Sequence, residues 1–260
     1  MALTISSTYH LLGAVERRQV AEALGDSPET AIPVHLLRKG GGQVHLAGEL
    51  PNFDAVIIED YSVGPELMAF GTDARCLGRI LGGLDGWEAV NVPYEAASPL
   101  AAQIREEMGL ANHCIDDIYQ VPGGPVSVVT NADVRILTHA DIPLLEAAPD
   151  DIRDSFDEDL AAVIAEELIA GAVLPGAGVV AIAATYGFSE PYVDIAVSTL
   201  ASYRCRGYAL AAASLVASET QKAGNVPIWS CAPTNIGSLQ VAHKLGFKEV
   251  SRRVNIVLDS

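Results

Sequence analysis

A chain of 260 residues and 27.3 kDa is long for one compact domain and comfortable for two of about 130 residues each. Half of the residues are hydrophobic and 19% are charged, which is ample material for buried cores and too little charge for a disordered chain. The net charge of −17 is spread over both halves without any cluster of Lys and Arg, so a nucleic-acid partner is not expected.

At the amino terminus no basic region precedes the short apolar stretch, so residues 1–18 do not read as a signal peptide. Residues 32–37 read as a strand, linked by Arg38-Lys39-Gly40-Gly41-Gly42 to a second strand at 43–47. Residues 55–58 read as a short buried strand. The stretch 65–71 suggests a helix or turn, 73–81 another, and 99–108 has helical spacing that stops at Gly109. Val121-Pro122-Gly123-Gly124-Pro125 is the best boundary signal, dividing residues 1–128 from 129–260.

In the second half, residues 134–137 read as a strand and 139–148 as a short helix. Asp157-Glu158-Asp159 opens a periodic run over 160–170, with Gly171 just past its close. Residues 170–188 carry no charge, but four glycines and a proline make them unfit to span a membrane as a helix. Strands are expected at 179–186 and 192–199 with a hairpin between them. A helix at 206–223, a strand at 228–231, a helix at 235–245 and a last strand at 247–258 follow. The order predicts an α/β fold with a mixed sheet. Cys76, Cys114, Cys205 and Cys231 are scattered and form no C-x-x-C pair, which favours reduced thiols over a disulfide framework or zinc site. The expected setting is a soluble, cytoplasmic one without a membrane partner.

The chemistry concentrates in Val197–Ala209, VSTLASYRCRGYA. A strand ends near Thr199, and a loop holding Arg204, Arg206 and Gly207 runs straight into a helix. Such a junction presents unpaired backbone N–H groups at the positive end of a helix dipole, a ready anion site. Arginine pairs with phosphate in a bidentate way, and glycine allows close approach to the backbone. The plain alternative is an ordinary strand-to-helix turn.

The spacing Arg204-x-x-Gly207-x-Ala209 resembles the pyrophosphate-binding motif of the GNAT acyltransferase superfamily, with Thr199 and Tyr203 similar to its usual approach. Asn235-x-x-Ser238 followed by Leu245-Gly246-Phe247 resembles the second signature, and Trp229-Ser230-Cys231 is similar to a bacterial branch with W-x-C before that asparagine. The resemblance covers about residues 130–258. It implies a GNAT-like mixed sheet flanked by helices in the carboxy-terminal half, with an amino-terminal α/β half that is a degenerate GNAT-like copy lacking the R-x-x-G-x-A loop. It further implies a slot between splayed strands for the pantetheine arm of acetyl-CoA or another acyl-CoA. Backbone groups near Val197 and Thr199 would hold that arm. The amides of Cys205, Arg206, Gly207, Tyr208 and Ala209, with Arg204, would hold the pyrophosphate, and Asn235 and Ser238 would add contacts. The implied reaction is direct acyl transfer to the amine of a small molecule without a metal. A carrier-protein phosphopantetheine is the alternative donor, and a non-catalytic acyl-CoA-binding module the alternative role.

Asp194 stands where many GNAT proteins place a glutamate general base; the other reading is an acid facing solvent, and Glu190 is a weaker alternative base. The position seven residues after Asn235, often a tyrosine that protonates the leaving thiolate, is Ala242 here, with His243 read as surface. Tyr203, Ser230 and Cys231 are the remaining stand-ins. Asn235 reads equally as a helix N-cap, and Trp229 as core. The acids Asp150, Asp151, Asp154, Asp157, Glu158 and Asp159 form either a solvated loop or a negative rim that favours a cationic acceptor.

Overall fold

The computed structural model describes residues 12–60, 66–156 and 159–259. The amino-terminal residues 1–11 and the acids Asp157 and Glu158, named above, lie outside the described residues. The chain divides into two compact units, Met1–Tyr119 with Ser251–Ser260, and Gln120–Val250. The boundary expected at 128/129 therefore differs from this division in two places. The Pro/Gly stretch is tied into the second unit: Val126 N–H donates to Gln221 Oε1 (2.7 Å) and Gln221 Nε2 donates to the Gly124 carbonyl (3.1 Å). The last ten residues pack with the first unit.

In the first unit α1 (Ala14–Leu24) and α2 (Ala31–Arg38) precede the hairpin β1 (Gln43–Glu49) and β2 (Asn52–Glu59). Then follow β3 (Glu66–Phe70), α3 (Ala74–Leu81), β4 (Ala89–Pro93), α4 (Tyr94–Gln103) and β5 (Asn112–Pro122). The strand expected at 32–37 is the helix α2. Its branched residues suggest a strand, but the buried Ala31, Val34 and Leu37 recur every third position, and Val34 and Leu37 share a cluster with Val20, Ala21 and Ile58. The helix or turn expected at 65–71 is the strand β3, whose Leu67 and Ala69 enter the core. The helix expected from Pro99 begins at Tyr94, so the proline sits inside it rather than opening it. Its end at Gly109 holds, through a π-helical turn at Ile104–Met108 and a left-handed glycine (φ 68°).

The second unit runs β6 (Val134–Ile136), the short helices α5 (Ile142–Glu146), α6 (Asp150–Arg153) and α7 (Leu160–Glu166), then β7 (Ile169–Leu174), β8 (Gly178–Ser189) and β9 (Tyr192–Thr199). It continues with α8 (Tyr208–Lys222), β10 (Val226–Cys231), α9 (Ile236–Lys244) and β11 (Phe247–Leu258), whose residues from Ser251 belong to the first unit. The strand order is β10-β9-β8-β7-β6 here and β1-β2-β3-β4-β11 in the first unit. The helix expected over 160–170 ends at Glu166, and the missed strand β7 takes over. Gly171, expected to stop a helix, lies in β7 where a Cβ would come within 2.8 Å of Leu137. One face of this unit packs α8 and α9 through Ala213, Val216, Trp229 and Phe247; Ile152, Leu160 and Ile182 belong to a separate cluster with α5 to α7. Among the described residues no helix is long and apolar enough to cross a membrane, and no group of three His, Cys, Asp or Glu is placed to hold a metal ion.

Candidate active site

β9 and β10 run parallel, but their pairing covers only Val226↔Tyr192, Pro227↔Val193 and Ile228↔Asp194. Beyond that point β9 continues to Thr199 and β10 to Cys231 without pairing to one another. β9 keeps its other edge bonded to β8, from Thr185↔Ile195 through Ala181↔Thr199. The sheet therefore parts along one edge of β9, leaving backbone groups that a strand-like ligand can satisfy.

Asp194 occupies the vertex of this parting. It is also the one residue of β9 facing an irregularity in β8, where Tyr186 and Gly187 lie between the partners of Ile195 and Val193. A bulge of two residues against one bends a strand and re-aims side chains. Asp194 is 7% exposed, so the outward, solvated reading of this acid does not describe it. Glu190 is exposed in the β8–β9 turn. Val197 and Thr199 lie on the parted stretch of β9; the Thr199 carbonyl accepts a hydrogen bond from Arg204 Nε at 3.2 Å.

Past Thr199 a short 3-10 turn, Ala201–Tyr203, leads to Arg204, Cys205, Arg206 and Gly207, all exposed. Gly207 is the N-cap of α8 in a left-handed conformation (φ 84°, ψ 0°), and a Cβ there would meet nothing within 4 Å. Cys205 is left-handed as well (φ 60°), alone among the described non-glycine residues. For an L-residue that costs about 1–2 kcal/mol, and two such residues around Arg206 turn the chain sharply into the helix. The first helical bond of α8 runs from Ala211 N–H to the Gly207 carbonyl (3.0 Å), so the amides of Tyr208, Ala209 and Leu210 precede any intrahelical partner. The Arg206 guanidinium lies 5.1 Å from the Tyr203 ring centroid, a cation–π contact that positions it.

On the far side of the parting, Asn235 caps α9: its Oδ1 accepts from Ser238 N–H at 3.1 Å. Ser238 Oγ accepts from Trp229 Nε1 at 2.8 Å, a bond between a β10 residue and an α9 residue that no sequence pattern announces. Trp229 is core, 3% exposed, edge-to-face with Phe247. Ala242 is fully buried in that same cluster, so the seventh position after Asn235 faces the interior, while His243 is exposed. Tyr203, Ser230 and Cys231 are half-buried.

α6, which carries Asp150 and Asp151, packs on β9. Ser198 Oγ donates to the Asp151 carbonyl at 2.8 Å, fixing α6 on the parted strand. Beside it a cavity of about 480 Å³ is lined by Ile142, Glu146, Arg153, Asp154, Phe156, Asp159, Leu160 and Ala161. One lining acid is already engaged, since Asp159 caps α7 by accepting from Ala161 and Ala162 N–H.

The parted parallel strands, the bulge and the glycine-led helix start define a class, the GNAT N-acetyltransferase fold. A family model described as GNAT acetyltransferase matches residues 166–253, which include β7 through β10, the α8 loop and α9. Among solved structures the chain is similar to a GCN5-related N-acetyltransferase-like protein from Streptococcus suis (18% identity, 95% of this chain and 100% of that one, TM-score 0.68). It is also similar to a GCN5-related N-acetyltransferase from Kribbella flavida (19% identity, 94% and 96%, TM-score 0.62). A tandem GNAT protein from the clavulanic acid biosynthesis pathway is a third (11% identity, 93% and 92%, TM-score 0.56). No curated protein matches the chain in sequence. The family match and the fold together support acyl transfer as the general activity.

Proposed function

We propose that the second unit binds acetyl-CoA or another acyl-CoA in the β9/β10 parting and transfers the acyl group directly to the amine of a small molecule. The observation that carries this reading is the parting itself, which opens at Asp194 and runs on to the α8 start within one unit. An acyl-pantetheine arm laid along Val197 and Thr199 would bring its pyrophosphate to Arg204, Cys205, Arg206, Gly207, Tyr208 and Ala209. Amide donors and a helix dipole favour an anion there. The acyl end would then lie towards Asp194.

In the transfer, the amine nitrogen forms a bond to the thioester carbonyl carbon, the C–S bond breaks and CoA leaves as the thiolate. Proximity and orientation supply most of the acceleration. The proton lost by the amine goes to Asp194, through a water because aspartate is short. The leaving thiolate takes a proton from solvent or from Tyr203, Ser230 or Cys231; near pKa 8.5 it is stable enough to leave without a dedicated acid. Asn235 and Ser238 are placed to hold α9 beside the site, and further contact with the ligand is part of this proposal. Arg204 and Arg206 favour the nucleotide end of CoA over a carrier-bound arm.

Gly207→Phe tests the reading. The open space at Gly207 is where phosphate would approach, so calorimetry should show acetyl-CoA binding lost in this variant while the fold survives by circular dichroism. Unchanged affinity would refute the assignment. Release of free thiol from acetyl-CoA against an amine panel, beside an acyl-carrier donor, separates the enzyme from a binding module and CoA from a carrier.

A further inference from the structure

The two units repeat one connectivity. In the second, β9 leads through a loop to α8, to β10 parallel to β9, to α9 and to β11. In the first, β3 leads through residues 71–73 to α3, to β4 parallel to β3, to α4 and to β5. The parallel ladder stops short in both. In the first unit it covers Glu66↔Ala89, Leu67↔Val90 and Met68↔Asn91, while β3 runs on to Phe70 and β4 to Pro93.

We propose that the slot of this first copy is filled by the chain's own side chains, so that the protein takes up one acyl thioester per chain, at the second unit alone. The proposal rests on the donor site assigned to β9 and β10 above. Arg253, on the part of β11 that belongs to the first unit, reaches the place where β3 and β4 part. Its Nη2 donates to the Ala69 carbonyl on β3 (2.5 Å) and to the Asn91 carbonyl on β4 (3.1 Å), and its Nε donates to Asn91 Oδ1. One guanidinium thus bridges both strands at the end of their ladder, where a ligand amide would otherwise have to bind. The Phe70 ring centroid lies 4.3 Å from the guanidinium carbon, and Glu29 Oε2 lies 3.6 Å from Nη1. At 1% exposure the arginine cannot withdraw without leaving carbonyls and a carboxylate unpaired.

The anion end is filled as well. Asp73 caps α3, accepting from Arg75 N–H (2.9 Å) and Cys76 N–H (3.4 Å) through Oδ1. A fixed carboxylate on the amides of a helix start consumes the donors and repels a phosphate. Arg75-Cys76-Leu77-Gly78 parallels Arg204-Cys205-Arg206-Gly207 in sequence, but it lies inside α3 rather than before the helix. A Cβ at Gly78 would meet Gln103 Nε2 at 2.4 Å, whereas at Gly207 it meets open space. The first glycine serves packing and the second leaves an approach.

Native mass spectrometry of the full chain titrated with acetyl-CoA decides the matter. The expected result is one bound molecule per chain, and none in Gly207→Phe. Two per chain in the unaltered protein, falling to one in Gly207→Phe, would overturn the closed first slot and leave the donor site of the second unit standing; one per chain in both would overturn the donor site at Gly207 and the single-site assignment with it. No binding to the unaltered protein would overturn the donor site of the second unit, and the single-site count with it.

Discussion

Asp194 shows how a side chain acquires a candidate role from its backbone. The ladder to β10 ends on it, the bulge of β8 faces it, and it is buried. As the proposed base it should matter to turnover and hardly to donor binding. Asp194→Asn, nearly isosteric, is expected to lower kcat by ~100- to 10,000-fold with acetyl-CoA affinity unchanged by calorimetry. Turnover like that of the unaltered protein at every pH tested would move the base to another group or to bulk water. The sequence located Asp194 on its strand and left open whether it faced solvent, because burial of an acid depends on the neighbouring strand, and the bulge at Tyr186 and Gly187 leaves no mark in the pattern. The buried Ala242 is the converse case: the absence of a tyrosine was legible, its inward direction was not.

Among the elements, β6 and the helix that follows it are joined by one carboxylate. Asp141 accepts from Arg135 Nη1 (2.8 Å) and Nη2 (2.5 Å), and from Thr138 N–H (2.9 Å) and Oγ1 (3.2 Å). The bidentate arginine, with the Thr138 amide, holds its carboxyl at a pKa of about 2 against an ordinary 3.8. The folded state therefore binds this proton less readily than the unfolded chain. The resulting stability is fully present above about pH 4 and is lost as pH falls towards 2. Arg135 is half exposed, so solvent screening leaves on the order of 1–2 kcal/mol. Asp141→Asn should melt lower at pH 7, and the gap should close between about pH 4 and pH 2 in calorimetric scans; a gap that persists in acid would assign the effect to packing. Elements with strong punctuation were legible in advance: β9 and β11 match their expected limits, and α8 and α9 differ by a residue or two at their ends. Two elements of eleven residues, α1 and β5, were missed because their buried positions follow no single period; most of the others that failed were short. β3, β4 and β7 have five or six residues each, too few for a period of two to stand out, and α2 hides a helical face in branched residues.

For the whole molecule the dominant quantity is charge. Under the proposed function, a protein at −17 needs a local positive patch to attract an anionic donor, a role proposed here for Arg204 and Arg206, and its remaining field would favour a cationic acceptor. We propose the cavity beside α6 as the acceptor's place: Glu146 and Asp154 line it together with Ile142, Phe156 and Leu160, and Arg153, which also lines it, is paired with Asp150. We expect kcat/KM to rank cationic above neutral above anionic amines. The ranking should fade as salt shortens the Debye length from ~10 Å at 0.1 M to ~3 Å at 1 M. A ranking untouched by salt would mean that shape, not field, selects the acceptor.

The return of the last ten residues to the first unit sets an order of events during synthesis. The ribosome delivers the chain through Tyr119 early, yet Ala69, Asn91 and Glu29 wait for Arg253. At about 5–20 residues per second that wait is roughly 7–27 s, during which β4 has an open edge and four acceptor atoms lack the arginine that pairs them. The half made first is thus the half completed last, and quality control acting on the nascent chain meets it unfinished.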